Sequence, residues 1–165
     1  MITIMIWLQA LLFLIRHQGT AADDYVPKNV YGETLQPCSS NGSALTGYTR
    51  SGGCVDLQDD VGSHHICINL ASIASTGQNF CEVTGQSDWC SSSMPCHENK
   101  YQSCQVGNWC VCQWAFASYM QKAGGCDAIQ SIQCDAINMQ ALSAYASSTQ
   151  DEHKQALQCI YARCM

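Results

Sequence analysis

Thirteen cysteines stand in this chain of 165 residues, and all of them lie downstream of an apolar leader, the first at Cys38. Disulfides consume thiols in pairs, so an odd count leaves at least one sulfur free, metal-bound or joined to another chain. This cysteine density belongs to secreted domains that staple their loops together instead of relying on a large core. The leader agrees. Residues Ile2 to Ile15 are apolar except for Thr3 and Gln9, a run shorter than the roughly 20 residues that cross a bilayer. Small residues at Thr20 and Ala22 permit cleavage before Asp23. Residues 1–22 therefore read as a signal peptide and 23–165 as a single mature domain, secreted or held in the lumen of the secretory pathway. No Lys or Arg precedes the apolar run, so an uncleaved anchor is the competing reading; after cleavage no membrane segment is expected. Asn41-Gly42-Ser43 is a glycosylation sequon on the same route. The formal net charge is −6 and no cluster of Lys or Arg occurs, which argues against nucleic acid and anionic membranes as partners.

Residues 23–63 read as extended chain and turns, because Pro27, Gly32, Pro37, Gly42, Gly47, Gly52, Gly53 and Gly62 leave no room for a long helix. His64 to Leu70 is a strand candidate, with Ile66, Ile68 and Leu70 on one face and His65, Cys67 and Asn69 on the other. Residues 76–106 carry Cys81, Cys90, Cys96 and Cys104 with no usable periodicity and read as a loop-rich lobe held by disulfides. Trp109 to Cys112 is a short strand or strand end. Phe116, Tyr119, Met120 and Ala123 then mark one face of a helix that Gly124-Gly125 stops. Cys-Asp-Ala-Ile occurs at Cys126 and again at Cys134, one short repeat and no repeat architecture. Asn138 can cap a helix through Leu142 to about Ser147. Thr149 to Glu152 reads as a capping box for a last helix with Leu157, Ile160, Tyr161 and Cys164 on its apolar face. The expected fold is α+β, a small disulfide-rich single domain with short strands and loops first and helices in the C-terminal third, 113–165.

Five segments then occur in order: Asn29-Val-Tyr-Gly32, Leu35-Gln-Pro-Cys-Ser39, Thr46-Gly-Tyr-Thr-Arg50, Asp60-Val-Gly-Ser-His64 and Gly107-Asn-Trp-Cys-Val-Cys112. Together they resemble the bacterial family called domain of unknown function 2237, whose pattern runs N-V-L-G, L-x-P-C-S, T-G-F-x-R-D-G-C-C, D-x-G-S-H-x-V-C and G-D-x-W-C-L-C. The family-like core covers 29–114, and the similarity thins after Trp114. The resemblance implies no activity; it implies a core set of Cys38, Cys54, His64, Cys67, Cys110 and Cys112. Gly53 departs from it, standing where the family has the first cysteine of its C-C pair. The other eight, Cys81, Cys90, Cys96, Cys104, Cys126, Cys134, Cys159 and Cys164, have no counterpart in the pattern and can pair as four scaffold disulfides. On this reading the odd sulfur belongs to the core.

Three chemistries compete for that core. Structural half-cystines are the plain one. On a strand Cys110 and Cys112 point to one face, and a disulfide between them would close a strained ring, so separate partners are expected. Cys54, Cys67, His64 and the pair 110/112 could instead hold zinc, although C-x-C is not the usual C-x₂₋₄-C ligand spacing and no cofactor is expected. A reactive thiol with His64 or His65 as base is the third; strand alternation favours His65 and the family pattern favours His64, so no base is assigned. Asp56, Asp59 and Asp60 lack a calcium-loop pattern and read as a solvated turn. Trp109, Trp114, Phe116 and Tyr119 read as core beside a helix start. No phosphate loop, G-x-S-x-G elbow or H-E-x-x-H helix is present. The leading expectation is a secreted binding or interaction module for an extracellular protein or glycan. The alternative is a thiol- or metal-dependent enzyme on the core cluster, and a disulfide-linked partner through the odd cysteine is a third outcome.

Overall fold

The computed structural model describes residues 25–165; the leader expected over 1–22 lies outside them. Among the described residues there are four short strands, β1 (Ile66–Asn69), β2 (Ser93–Pro95), β3 (Ser103–Gln105) and β4 (Asn108–Val111). The α-helices are α1 (Phe80–Thr84), α2 (Gln113–Ala123), α3 (Gln140–Ser147) and α4 (Asp151–Cys164). The result is a small mixed domain with strands first and helices gathered towards the C-terminus.

β1 and β4 pair antiparallel as a central ribbon, with Ile66 opposite Val111, Cys67 opposite Cys110 and Ile68 opposite Trp109. Side chains alternate across a strand, so the ribbon has two unlike faces. Ile66, Ile68, Trp109 and Val111 enter the main core with Phe80, Phe116, Tyr119, Met120 and Ile160. Cys67 and Cys110 lie on the back with Cys38, Cys54 and Ala136 in a second, sulfur-rich cluster. Facing cysteines on the ribbon do not join each other. Cys67 pairs with Cys38 and Cys110 with Cys54, which bolts the helix-free coil before the ribbon onto its back. The expected strand was longer at its start. Ser63 takes a left-handed backbone (φ 49), so the ladder begins at Ile66 and alternation does not reach His64 or His65.

The segment 76–106 holds more regular structure than its lack of periodicity suggested, because its elements are too short to repeat a pattern. Asn79 and Glu82 form a reciprocal capping box on α1: the Glu82 N–H donates to Asn79 Oδ1 (3.0 Å) and the Asn79 N–H to Glu82 Oε2 (2.7 Å). β2 and β3 form a hairpin, and Cys81–Cys90 and Cys96–Cys104 staple the two pieces.

Phe116, Tyr119, Met120 and Ala123 are all buried, so α2 presents the face its spacing predicts. α3 starts where the Asn138 side chain accepts from the Gln140 N–H (3.0 Å). α4 departs from expectation twice. Thr149 does not cap it; Ser148 Oγ accepts from the Gln150 N–H (3.2 Å) and pairs with His153 Nδ1 (2.7 Å). Its buried face is His153, Ala156, Cys159, Ile160 and Cys164, while Tyr161 is exposed. The cause is covalent: Cys126–Cys159 and Cys134–Cys164 pull that side of the helix onto the two Cys-Asp-Ala turns, each a short 3₁₀ turn.

The six bridges thus form two interlaced pairs. One spans 38–110, with two short staples inside it, and the other spans 126–164. Between them, 111–125 carries α2 and lies inside no covalent loop.

Candidate functional site

The Thr46-to-Arg50 motif is a tight loop docked on the edge of the ribbon. Thr46 Oγ1 accepts from the Cys110 N–H (2.8 Å), and the Gly52 N–H donates to Thr46 O (2.9 Å). Gly47 adopts φ 94, and a Cβ there would stand 2.6 Å from Gly53 O, so only glycine closes this loop. Arg50, itself left-handed (φ 55), donates from Nη1 to Gly47 O (3.0 Å) and lies 5.0 Å over the Trp109 ring. Trp109 packs on Trp89 at 5.6 Å between ring centroids. The outcome is a cleft of about 430 Å³ walled by Tyr48, Arg50, His64, Trp89, Met94 and Trp109.

His64 is fixed at one end of that cleft. Its Nδ1 donates to Asp60 Oδ1 (2.7 Å) and its backbone N–H to Asp60 Oδ2 (2.8 Å). The Tyr48 ring lies 5.9 Å away, 21° from parallel. Asp60 is buried, not part of a solvated turn. Burial alone would push its carboxyl up, but the hydrogen bonds from the His64 backbone and imidazole, with the charges of His64 and His65, hold it below the ordinary value of 3.8. A carboxylate only accepts, so the Nδ1 proton points at Asp60 and Nε2 is left for other chemistry. A Cβ at Gly62 would sit 2.7 Å from His64 Cε1, so glycine there lets the imidazole pack over the turn.

His65 has a different place. It is buried, with Nδ1 bonded to Gln113 Oε1 (2.9 Å) and Nε2 to Asp56 Oδ1 (3.0 Å), and it ties the start of β1 to the first turn of α2. Ser63 O reinforces the tie by accepting from the Gln113 N–H (3.0 Å).

Cys112 is the one cysteine outside the six disulfides, and it is half-buried. It is not on the strand: β4 ends at Val111, and Cys112 occupies the N-cap position of α2. His64 and Cys112 both line a second cavity of about 80 Å³, whose walls include Trp89, Trp109 and Cys110 of the larger cleft. Tyr145 lies close behind; burial, then the neighbouring Cys112 charge, push its phenol well above the usual range, and its O–H donates to Gln113 O.

The core set named from the sequence therefore divides. Cys38, Cys54, Cys67 and Cys110 are spent in two disulfides, so the sulfurs of Cys38, Cys54 and Cys110, although clustered within 4.8 Å, are not thiolate ligands. Cys81, Cys90, Cys96, Cys104, Cys126, Cys134, Cys159 and Cys164 pair among themselves. His64 and Cys112 remain together at a cavity. At Gly53 a Cβ would meet only Val55 Cγ1, at 3.8 Å, so the position has room for a side chain. Asn41 lies in an exposed turn. Phe116 and Tyr119 are core, Trp114 is partly exposed over His153 (4.7 Å), and Trp109 faces the cleft. Sequence reasoning gave no site role to Tyr48, Arg50 or Trp89 and read Asp60 as part of a solvated turn; Tyr48, Arg50, Asp60 and Trp89 all belong to the site or to its support. The first three stand inside the T-G-Y-T-R and D-x-G-S-H segments and carried a signal there; Trp89 lies in the unpatterned lobe and carried none.

No helix among the described residues is long and apolar enough to cross a membrane. No curated protein matches the chain. A family model described as an uncharacterised protein conserved in bacteria (DUF2237) matches residues 28–154, spanning the ribbon, the Arg50 cleft, the Asp60–His64 pair and Cys112. With most of its length covered by that model, the chain belongs to the DUF2237 family.

Proposed function

We propose that this protein is a secreted binding module that takes a small anionic molecule with an apolar portion into the Arg50 cleft. The observation that carries the reading is the Arg50 guanidinium set over an aromatic wall in a cleft of about 430 Å³. That volume falls within the roughly 300–1,000 Å³ of small-molecule sites, which favours a small ligand over a protein or glycan surface. The guanidinium fork matches a carboxylate, and Trp89, Trp109, Met94 and Tyr48 offer apolar area. The cleft is also built rigidly. Arg50 and Ser63, the non-glycine residues with positive φ among the described residues, flank it, and such strain gathers at functional sites. Six disulfides suit an oxidising compartment and fit the leader; Asn41 would carry a glycan on that route. The test is isothermal titration calorimetry with indole-3-acetate and with its uncharged amide. Saturable binding of the acid, weakened about tenfold or more for the amide and for Arg50→Gln, is expected. Equal response to acid and amide would sink the reading.

A further inference from the structure

The cleft does not end at His64, and what lies past it is chemically different. We propose that Cys112 and His64 form a nucleophile–base pair, positioned by Asp60, that transfers acyl groups from small esters or thioesters. Four observations converge. Cys112 alone among the thirteen cysteines keeps its thiol in a chain that pairs every other one. It caps the N-terminus of α2, an 11-residue helix. In the first turn of α2 the Gln113 N–H is taken by Ser63 O and the Phe116 N–H by Cys112 O, whereas those of Trp114 and Ala115 have no acceptor among the described residues. Free N–H groups at a helix start favour negative charge, whether on the sulfur or on a developing oxyanion. Finally, the buried Asp60 carboxylate holds His64 Nδ1, so the Nε2 lone pair is the one on offer, and His64 shares the 80 Å³ cavity with Cys112.

The tie between the two partners is built into the backbone. Ser63 and His65, which flank His64, are both hydrogen-bonded to Gln113, which follows Cys112. The loop bearing the base and the helix bearing the nucleophile are therefore held together from both sides.

The reaction balances with water as its co-reactant. His64 Nε2 takes the thiol proton as Sγ attacks the carbonyl carbon; a C–S bond forms, the C–O bond of an ester or C–S bond of a thioester breaks, and the leaving group receives the proton from His64. Water then gives its proton to Nε2 and attacks the S-acyl carbon, the enzyme C–S bond breaks, and Sγ recovers the proton as the free acid departs. Arg50 would select acyl compounds that carry a carboxylate, and this part alone rests on the cleft reading above.

The experiment uses the oxidised protein and p-nitrophenyl acetate, a neutral ester that needs no anion site. A burst of p-nitrophenolate approaching one per chain is expected, with a single acetyl group on the peptide containing Cys112. Cys112→Ala abolishes the burst. His64→Gln slows acylation by about 10²–10⁴-fold, while one thiol remains titratable after denaturation and the intact mass still shows six disulfides. Gly62→Ala displaces the imidazole and slows acylation in the same direction. Asp60→Asn lowers the acylation rate constant and shifts its pH profile while the burst amplitude per chain is kept, whereas loss of folded protein would lower the amplitude instead. A native protein that gives no burst, or one whose burst His64→Gln leaves unaltered, overturns the proposal. A burst with no preference between indole-3-acetate and its amide overturns the cleft reading only; the converse overturns the nucleophile only.

Discussion

Asp60 shows how a single carboxylate joins stability to the site. It is buried, it accepts two hydrogen bonds from one residue, and its carboxyl is held below 3.8. The native state therefore binds the Asp60 proton more weakly than the unfolded chain does. The stabilisation is fully present above about pH 4 and is lost as pH falls through the lowered value. Unfolding midpoints in urea measured from pH 6 to pH 2 should fall along an acid limb that is shallower in Asp60→Asn. That variant should also be less stable than the parent at pH 6, by about 1–3 kcal/mol for a charged hydrogen bond. From sequence this residue looked like one of three acids in a turn, because nothing in the D-x-x-D-D spacing of Asp56, Asp59 and Asp60 tells which carboxylate turns inward. The clue lay four residues on, in His64, whose partner only the fold identifies. Cys112 illustrates the opposite case. That the odd sulfur belongs with the core cysteines is what the family resemblance implies, yet its place at a helix cap instead of a strand depends on where β4 ends, and one residue decides it.

At the scale of elements, α2 was legible and α4 only partly so, for a physical reason. The buried face of α2 is chosen by apolar contact alone, and spacing records apolar contact. α4 is also pulled by Cys159 and Cys164, and a disulfide moves a helix face without leaving a trace in hydrophobic period. The five-residue α1 is legible in neither way. It persists because Asn79 and Glu82 satisfy each other's backbone donors and because Cys81–Cys90 closes directly over it. Asn79→Ala should cost about 1 kcal/mol, read as a lower denaturant midpoint at unchanged slope. Amide exchange should quicken in 80–85 while β1 and β4 stay protected; loss of protection in the ribbon as well would show that α1 is not the independent unit described.

For the whole molecule, the disulfides differ in what they restrain. Cys54–Cys110 closes a loop of sequence separation 56 and Cys96–Cys104 one of 8. On chain-entropy grounds the first restricts the unfolded chain by about 4 kcal/mol and the second by about 2.5. Replacing both cysteines of each bridge with alanine should reproduce that order in guanidinium midpoints, with the larger loss at the back of the ribbon. A larger loss from the 96–104 pair would mean that the lobe, and not the bolted ribbon, carries the fold. The architecture also has a mechanical side. Tension applied to the two ends would meet covalent stops in 38–110 and again in 126–164, and neither stretch can lengthen freely while its bridges are closed. What can pay out is the segment between them, 111–125, together with the ends. That segment is α2, with Cys112 at its head. Among the described residues of the oxidised protein, the one helix able to yield under load is the one that carries the remaining thiol, so a pull strong enough to stretch the molecule would separate Cys112 from His64 before it disturbed any bridge.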